Sequence, residues 1–291
     1  MPNITVTLLN AFTDSGTGGN PAGVVLDADH LTPGMRQTVA AAVGSSETAF
    51  VSASRVADFK LDFFTPVRQI AHCGHATVAA FSYLVQQGLL NRTHSSKETI
   101  DGVRNISIRG DAAYLEQLPP KYIPFEAQLM PEILASLGID GSALLPDHQP
   151  VVVNTGNSFL LVPLREERTL RSLVPDHRAI TRVSDELDLI GYYPFTLQTR
   201  VGGRDAAARM FAPRYGIPEE SATGAAAGPL ACYLYDRLGV RKPTLILEQG
   251  RLMPVPSPSE ILIELSLQED CISGLYVGGR AEVMNSMDVP L

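Results

Sequence analysis

FFTPVRQIAHCGHAT, residues 63–77, and MFAPRYGIPEESATG, residues 210–224, are the stretches that decide the fold. They overlay at a constant offset of 147 residues (210 minus 63). Phe64 meets Phe211, Pro66 meets Pro213, Ile70 meets Ile217, Cys73 meets Glu220 and Gly74 meets Ser221. Each stretch then runs into an alanine-rich apolar segment, ATVAAFSYLVQQG (76–88) or AAAGPLACYLYDRLG (225–239), closed by a glycine suited to a helix C-cap. A helix that is apolar on nearly all sides is a buried one. A duplicated unit with its own central helix is therefore the first expectation.

A weaker second match, GNPAGVVLD (19–27) with GNSFLLVPL (156–164), lies in the same order but at a different offset. Around these segments, short β-branched and aromatic runs recur between turn signals: ITVTLL, AGVVLD, TAFVSA, DFKLDFFT and NISIRG, then VVVN, SFLLVPL, FTLQTR, AAARMFA, LILEQ and ILIELSL. The pattern gives an α+β chain, rich in strands and poor in helices, of two pseudo-symmetric halves. Each half is a β-sheet rolled around a central apolar helix. The boundaries expected are 1–117 with about 275–291 for one domain and 118–274 for the other. Pro229, inside the second apolar segment, removes a backbone hydrogen bond and predicts a kink or a later helix start.

At 291 residues and 45% hydrophobic content, the chain can support two substantial cores. Its 23 basic against 31 acidic residues leave a net charge of −8, with no basic cluster to meet a phosphate backbone, so nucleic acid is not an expected partner. No apolar run approaches membrane-spanning length, and the N-terminus lacks a basic leader; a soluble cytoplasmic protein is expected. Cys73, Cys232 and Cys271 are far apart, without zinc-site spacing, and read as free thiols. The run Ser15–Pro21 lacks a phosphate-loop ending and reads as a turn.

If the repeat is a pseudo-twofold, Cys73 and Glu220 stand at matching positions before the two helices and face one cleft between the halves. An epimerase needs groups on both faces of a carbon, and an isomerase can use one group that carries the proton; both need tuned acids and bases. A thiol at a helix N-terminus suits that work, although a lone buried cysteine also serves as a small hydrophobe. Glu220 could equally stabilise the first turn of its helix. His75 could shuttle a proton or simply satisfy a carbonyl, and Glu47 could be a turn residue. The backbone around Gly74, Ser221, Thr223 and Gly224 suits an anionic ligand such as a carboxylate.

GNPAGVV (19–25), SET (46–48), FTP (64–66), GHAT (74–77), RMFAP (209–213), ATGAAAG (222–228) and VGGRAEV (277–283) together resemble the PhzF-like family. These are relatives of phenazine-biosynthesis isomerases within the diaminopimelate epimerase fold. The resemblance implies a homodimer and a site that uses neither metal nor organic cofactor. It makes Glu47, the glutamate of the SET motif, the proton carrier, and brings in His75 through the Gly-His match; Cys73 and Glu220, the pair matched by the repeat, complete the expected catalytic set. Asn20, Ser46, Gly74, Ser221, Thr223, Gly224 and Ala225 are the expected substrate contacts. Gly-His-Ala-Thr stands here where the family often has Gly-His-Pro-Thr, and Glu220–Ala225 stands where it often has Asp-Pro-Ala-Thr-Gly-Ser. Cys73 resembles the first catalytic cysteine of diaminopimelate epimerases and proline racemases, while the second half has Glu220 in the matching register. The function expected is cofactor-independent isomerisation or epimerisation of a small carboxylate-bearing metabolite. A metabolite-binding protein that has lost turnover, or a lyase using the same carbanion, are the alternatives.

Overall fold

The computed structural model describes residues 3–291, which separate into two compact units: 3–116 with Gly278–Leu291, and Gln117–Val277. In the first unit the strands are β1 (Asn3–Ala11), β2 (Asn20–Val25), β3 (Thr48–Ser52), β4 (Phe59–Phe64), β5 (Gln69–Ile70), β6 (His94–Thr99), β7 (Gly102–Arg109) and β8 (Ala112–Gln117). Its helices are α1 (Pro33–Val43) and α2 (Gly74–Gln86). The chain's last strand, Ala281–Pro290, pairs antiparallel with β1.

From β1 onward the ladder alternates: β1–β2 antiparallel, β2–β3 parallel, β3–β4 antiparallel, β4–β6 parallel, β6–β7 antiparallel. A parallel pair cannot be joined by a tight turn and needs a crossover. Here α1 makes the first crossover and α2 the second. Residues 75–82 and Leu84 of α2 are all buried, so the sheet encloses this helix on every side. On the other face of the sheet, α1 packs Val39 and Ala40 against Val6, Val25, Phe50 and Phe64. With apolar neighbours on both faces, all five residues of β3 are buried.

The second unit contains β9 (Lys121–Ile123), α3 (Met130–Ser136), β10 (Val151–Asn154), β11 (Ser158–Pro163), α4 (Glu167–Ser172), α5 (His177–Glu186), β12 (Gly191–Thr196), β13 (Ala206–Ala208), β14 (Met210–Ala212), β15 (Ile217–Glu220), α6 (Gly224–Arg237), β16 (Thr244–Gln249), β17 (Ser259–Gln268) and most of β18 (Cys271–Gly279). Its ladder repeats the first: β10–β11 antiparallel, β11–β12 parallel, β12–β13 antiparallel, β13–β16 parallel, β16–β17 antiparallel. The central helix is α6, buried without a break from Ala226 to Tyr235. Helices α3 and α5 cover the other face, with Ile133, Leu134, Ile180 and Val183 against Leu160, Val162 and Tyr192. The duplication read from two 15-residue stretches thus extends to the whole strand order.

Several expectations are corrected. The chain is richer in strand than in helix, but among the described residues it has four α-helices beyond the two apolar segments, α1, α3, α4 and α5; Thr32 before Pro33 caps α1 and Asp176 caps α5 by accepting from Arg178 and Ala179. Helices α3 and α4 are only 7 and 6 residues long, too short to show a helical period of their own. The strand expected over 195–200 stops at Thr196, and Arg209 divides the run 206–212 into two short strands. Helix α6 does not begin after Pro229; it starts at Gly224 and contains the proline. Gly88 and Gly239 do follow their helices at positive φ, +70° and +68°. The glycine-rich segment closes as a turn in which Asp14 and Thr17 exchange backbone hydrogen bonds.

Candidate active site

In the first unit, three of the expected catalytic residues converge. Helix α1 ends at Gly44 in the left-handed conformation, which turns the chain so that Ser46 and Glu47 lead directly into β3. The Glu47 carbonyl accepts from Gly23 N–H of β2 at 3.0 Å, which fixes this loop against the sheet. From the other side come Cys73, the N-cap residue of α2, and His75 in its first turn.

His75 Nε2 lies 3.1 Å from Glu47 Oε2, and its ring faces the Cys73 sulfur, with Nδ1 at 3.6 Å and Nε2 at 3.9 Å. Ser46 Oγ approaches the same Nε2 at 3.5 Å. Cys73 and His75 are 7% and 6% exposed, so the pairing is shielded from bulk water. Burial alone would lower the imidazole pKa. The Cys73 sulfur and the Glu47 carboxylate outweigh it, and His75 is held well above its ordinary value. Burial would likewise raise the Glu47 pKa, but its hydrogen bond and charge contact with His75, helped by Ser46, bring it below the ordinary value. The two shifts agree in sense: at neutral pH the pair is a carboxylate beside an imidazolium.

Cys73, the N-cap residue of α2, makes no side-chain cap hydrogen bond of its own. A Cβ added to Gly74 would meet no protein atom within 4 Å, and its backbone is not in the left-handed region. Neither conformation nor packing demands glycine there. Asn20 is buried at the first position of β2. The Glu47, Cys73 and His75 donor atoms lie within 4.8 Å of one another, a spacing a soft divalent cation could also use; as an acid–base set they need none.

In the second unit, Glu220 ends β15 and Thr223 is the N-cap residue of α6. The repeat register is corrected here. Counted back from the helix starts at Gly74 and Gly224, Cys73 corresponds to Thr223, and Glu220 lies three residues earlier. Even so, the Glu220 carboxylate reaches the helix start, because Oε2 accepts from Thr223 Oγ1 at 2.5 Å. Its neighbour Glu219 is committed elsewhere, in a two-pronged pair with buried Arg209 at 2.7 and 2.8 Å. Ser221 is buried, and its carbonyl accepts from Ser259 Oγ at 2.9 Å; Gly224 and Ala225 open the first turn of α6, half-buried.

Two residues that organise this segment were missed. Gln249, 1% exposed, donates to the Glu220 carbonyl at 2.7 Å and accepts from Thr223 N–H at 3.2 Å and from Tyr193 O–H at 2.8 Å. Neither a glutamine ending an apolar strand nor a tyrosine within one carries a sequence signal. Gly250, the next residue, has φ +79°, and a Cβ there would come within 2.0 Å of the Ser257 carbonyl and 2.7 Å of that of Ser221.

Two sheet-and-helix units of matching strand order, each with the start of its central helix furnished with polar groups, define a protein of the diaminopimelate epimerase-like α+β class. The model of the phenazine biosynthesis-like proteins, PhzC/PhzF, matches residues 9–286. The isomerase YddE of Escherichia coli O157:H7 is 34% identical over 231 residues, 78% of this chain and 77% of that protein. The trans-2,3-dihydro-3-hydroxyanthranilate isomerase of Pseudomonas chlororaphis is 31% identical over 235 residues, 78% of each. A crystal structure of a Bacillus anthracis PhzF-family protein superposes with a TM-score of 0.88 at 28% identity, covering all of both chains. The chain belongs to the PhzC/PhzF phenazine biosynthesis-like family and is an isomerase of that family. Among its described residues no helix is long and apolar enough to cross a membrane.

Proposed function

We propose that this isomerase shifts a proton along a small carboxylate-bearing metabolite, with Glu47 as the proton carrier. The observation that supports this is the buried contact of Glu47, His75 and Cys73 at the start of α2. A carboxylate kept ionised beside an imidazolium can accept a proton from carbon. The electrons of the broken C–H bond move into a displaced double bond, and the same carboxyl returns the proton further along the system. The start of α2 at Gly74–Ala76, with the positive end of its helix dipole, is matched to the substrate carboxylate and to the negative charge that develops in the transition state. Cys73, beside the ring, fixes the imidazolium's orientation or serves as a second proton donor.

In the second unit, we assign Glu220 as a further acid–base group and the segment Ser221–Ala225 as substrate contacts, together with Asn20 and Ser46. The relative that acts on trans-2,3-dihydro-3-hydroxyanthranilate makes cyclic amino or hydroxy acids the first substrates to try. We also infer a cytoplasmic homodimer; light scattering that gives a monomer mass would remove that part.

The test is incubation of the protein in deuterated water with amino acids, cyclic hydroxy acids and dihydroaromatic acids, read by mass spectrometry. Label that appears with the wild type and is lost in Glu47→Gln supports the carrier assignment. Undiminished labelling in Glu47→Gln and Cys73→Ala together would refute it.

A further inference from the structure

Lys97 is fully buried, at the centre of β6, and among the described residues it has no carboxylate within ion-pair distance. Burying an ammonium group without a counter-ion is costly, and an apolar side chain of the same length would fill the space more cheaply. Its contacts show what the lysine does instead. Nζ donates to Thr77 Oγ1 at 2.6 Å and to His72 Nδ1 at 3.1 Å, and it lies 5.1 Å from the Phe63 ring centroid. Thr77 in turn donates through Oγ1 to the Cys73 carbonyl at 2.6 Å. One amino group therefore grips the residue before Cys73 directly and the backbone of Cys73 itself through one hydroxyl.

We propose that Lys97 is the positioning residue of the candidate active site: it holds the His72–Cys73 segment at the start of α2 and places a positive charge within electrostatic reach of the Cys73 sulfur. The inference deepens the proposed function and rests on it for the importance of Cys73. Lys97 touches neither the sulfur nor any group that would contact substrate. The charged and titratable groups around it are His72 and Cys73 on the segment it holds, Arg104 opposite it on β7, and Asp101 in the β6–β7 turn. Burial and Arg104 press it toward the neutral form, while Cys73 and Asp101 favour its charge; the balance brings its pKa down to about 7.

The experiment is alkylation of Cys73 by iodoacetamide between pH 6 and pH 9, followed by peptide mass mapping that separates it from Cys232 and Cys271. It requires no turnover, so it succeeds or fails independently of the isomerase reading. Lys97→Met should slow Cys73 alkylation about tenfold at pH 6, the size expected when one buried charge within electrostatic reach is removed. The ratio of wild type to variant should shrink toward pH 9, where Lys97 of the wild type is itself neutral. Thr77→Val, which keeps the lysine but cuts the bridge, should slow alkylation about threefold, with a ratio that does not change with pH. A purely structural lysine would give a pH-independent ratio in Lys97→Met. That result, or alkylation as in the wild type in either folded variant, overturns the proposal. If Lys97→Met does not fold, Thr77→Val decides alone.

Discussion

Lys97→Met should also change how stability depends on pH. In the folded protein the lysine titrates near 7, against 10.5 for a solvated lysine, and the shift is caused chiefly by its complete burial. Between these values the unfolded chain binds a proton that the folded chain has released, so stability rises with pH across this window. From pH 7 to pH 9 the folded group passes from half-protonated to about one per cent protonated, while the unfolded group stays almost fully protonated. At 1.36 kcal/mol per unit, that window contributes about 2 kcal/mol of extra stability to the wild type. Lys97→Met lacks the group. Urea unfolding of both proteins followed by circular dichroism at pH 7, 8 and 9 should therefore show the variant losing about 2 kcal/mol relative to the wild type over the series. The same offset at every pH would show that the buried amine does not titrate in this range, and the argument from burial would fail.

The His75–Glu47 pair gives the opposite dependence. Because the folded His75 pKa is raised, its contribution is complete below 6.5 and is lost as pH rises through the raised value; because that of Glu47 is lowered, its contribution is present above 4.5 and is lost as pH falls through the lower value. The melting-temperature gap between wild type and His75→Gln should therefore be widest between pH 4.5 and 6.5 and close in alkali; a gap that widens in alkali would contradict the pairing. Gly250→Ala forces a side chain at φ +79° into the Ser257 and Ser221 carbonyls and should cost about 2 kcal/mol or more in thermal unfolding. Gly74→Ala should fold as stably as the wild type while deuterium exchange into substrate falls at least about tenfold, because its Cβ meets only the space assigned to the ligand. Equal exchange in Gly74→Ala would move the substrate away from the start of α2.

The duplicated architecture was legible because it is written in local chemistry. Two apolar segments closed by glycines can only be buried helices, and strands with aromatic and β-branched runs announce themselves by alternation. The convergence of Glu47, Cys73 and His75 was approached only through the SET and Gly-His motifs. Glu47 is 26 residues from Cys73 in sequence, and no spacing rule joins a residue before β3 to one before α2; the parallel crossover that encloses the helix does.

The sequence by itself determined the class of fold, the duplication, the two central helices and the family, since these follow from periodicity, turn chemistry and short motifs. Only the tertiary structure decided that Thr223, rather than Glu220, holds the cap position matching Cys73, and that Glu220 returns to the helix start through the Thr223 hydroxyl. It alone revealed Gln249 behind Glu220 and Lys97 behind Cys73. In HSSKET the lysine falls on the inward-facing alternation with Ser95 and Thr99, a polar set indistinguishable by pattern from a solvent-facing one. Which face of a polar strand is buried depends on what packs against it, and that is fixed by contacts between segments distant in the chain.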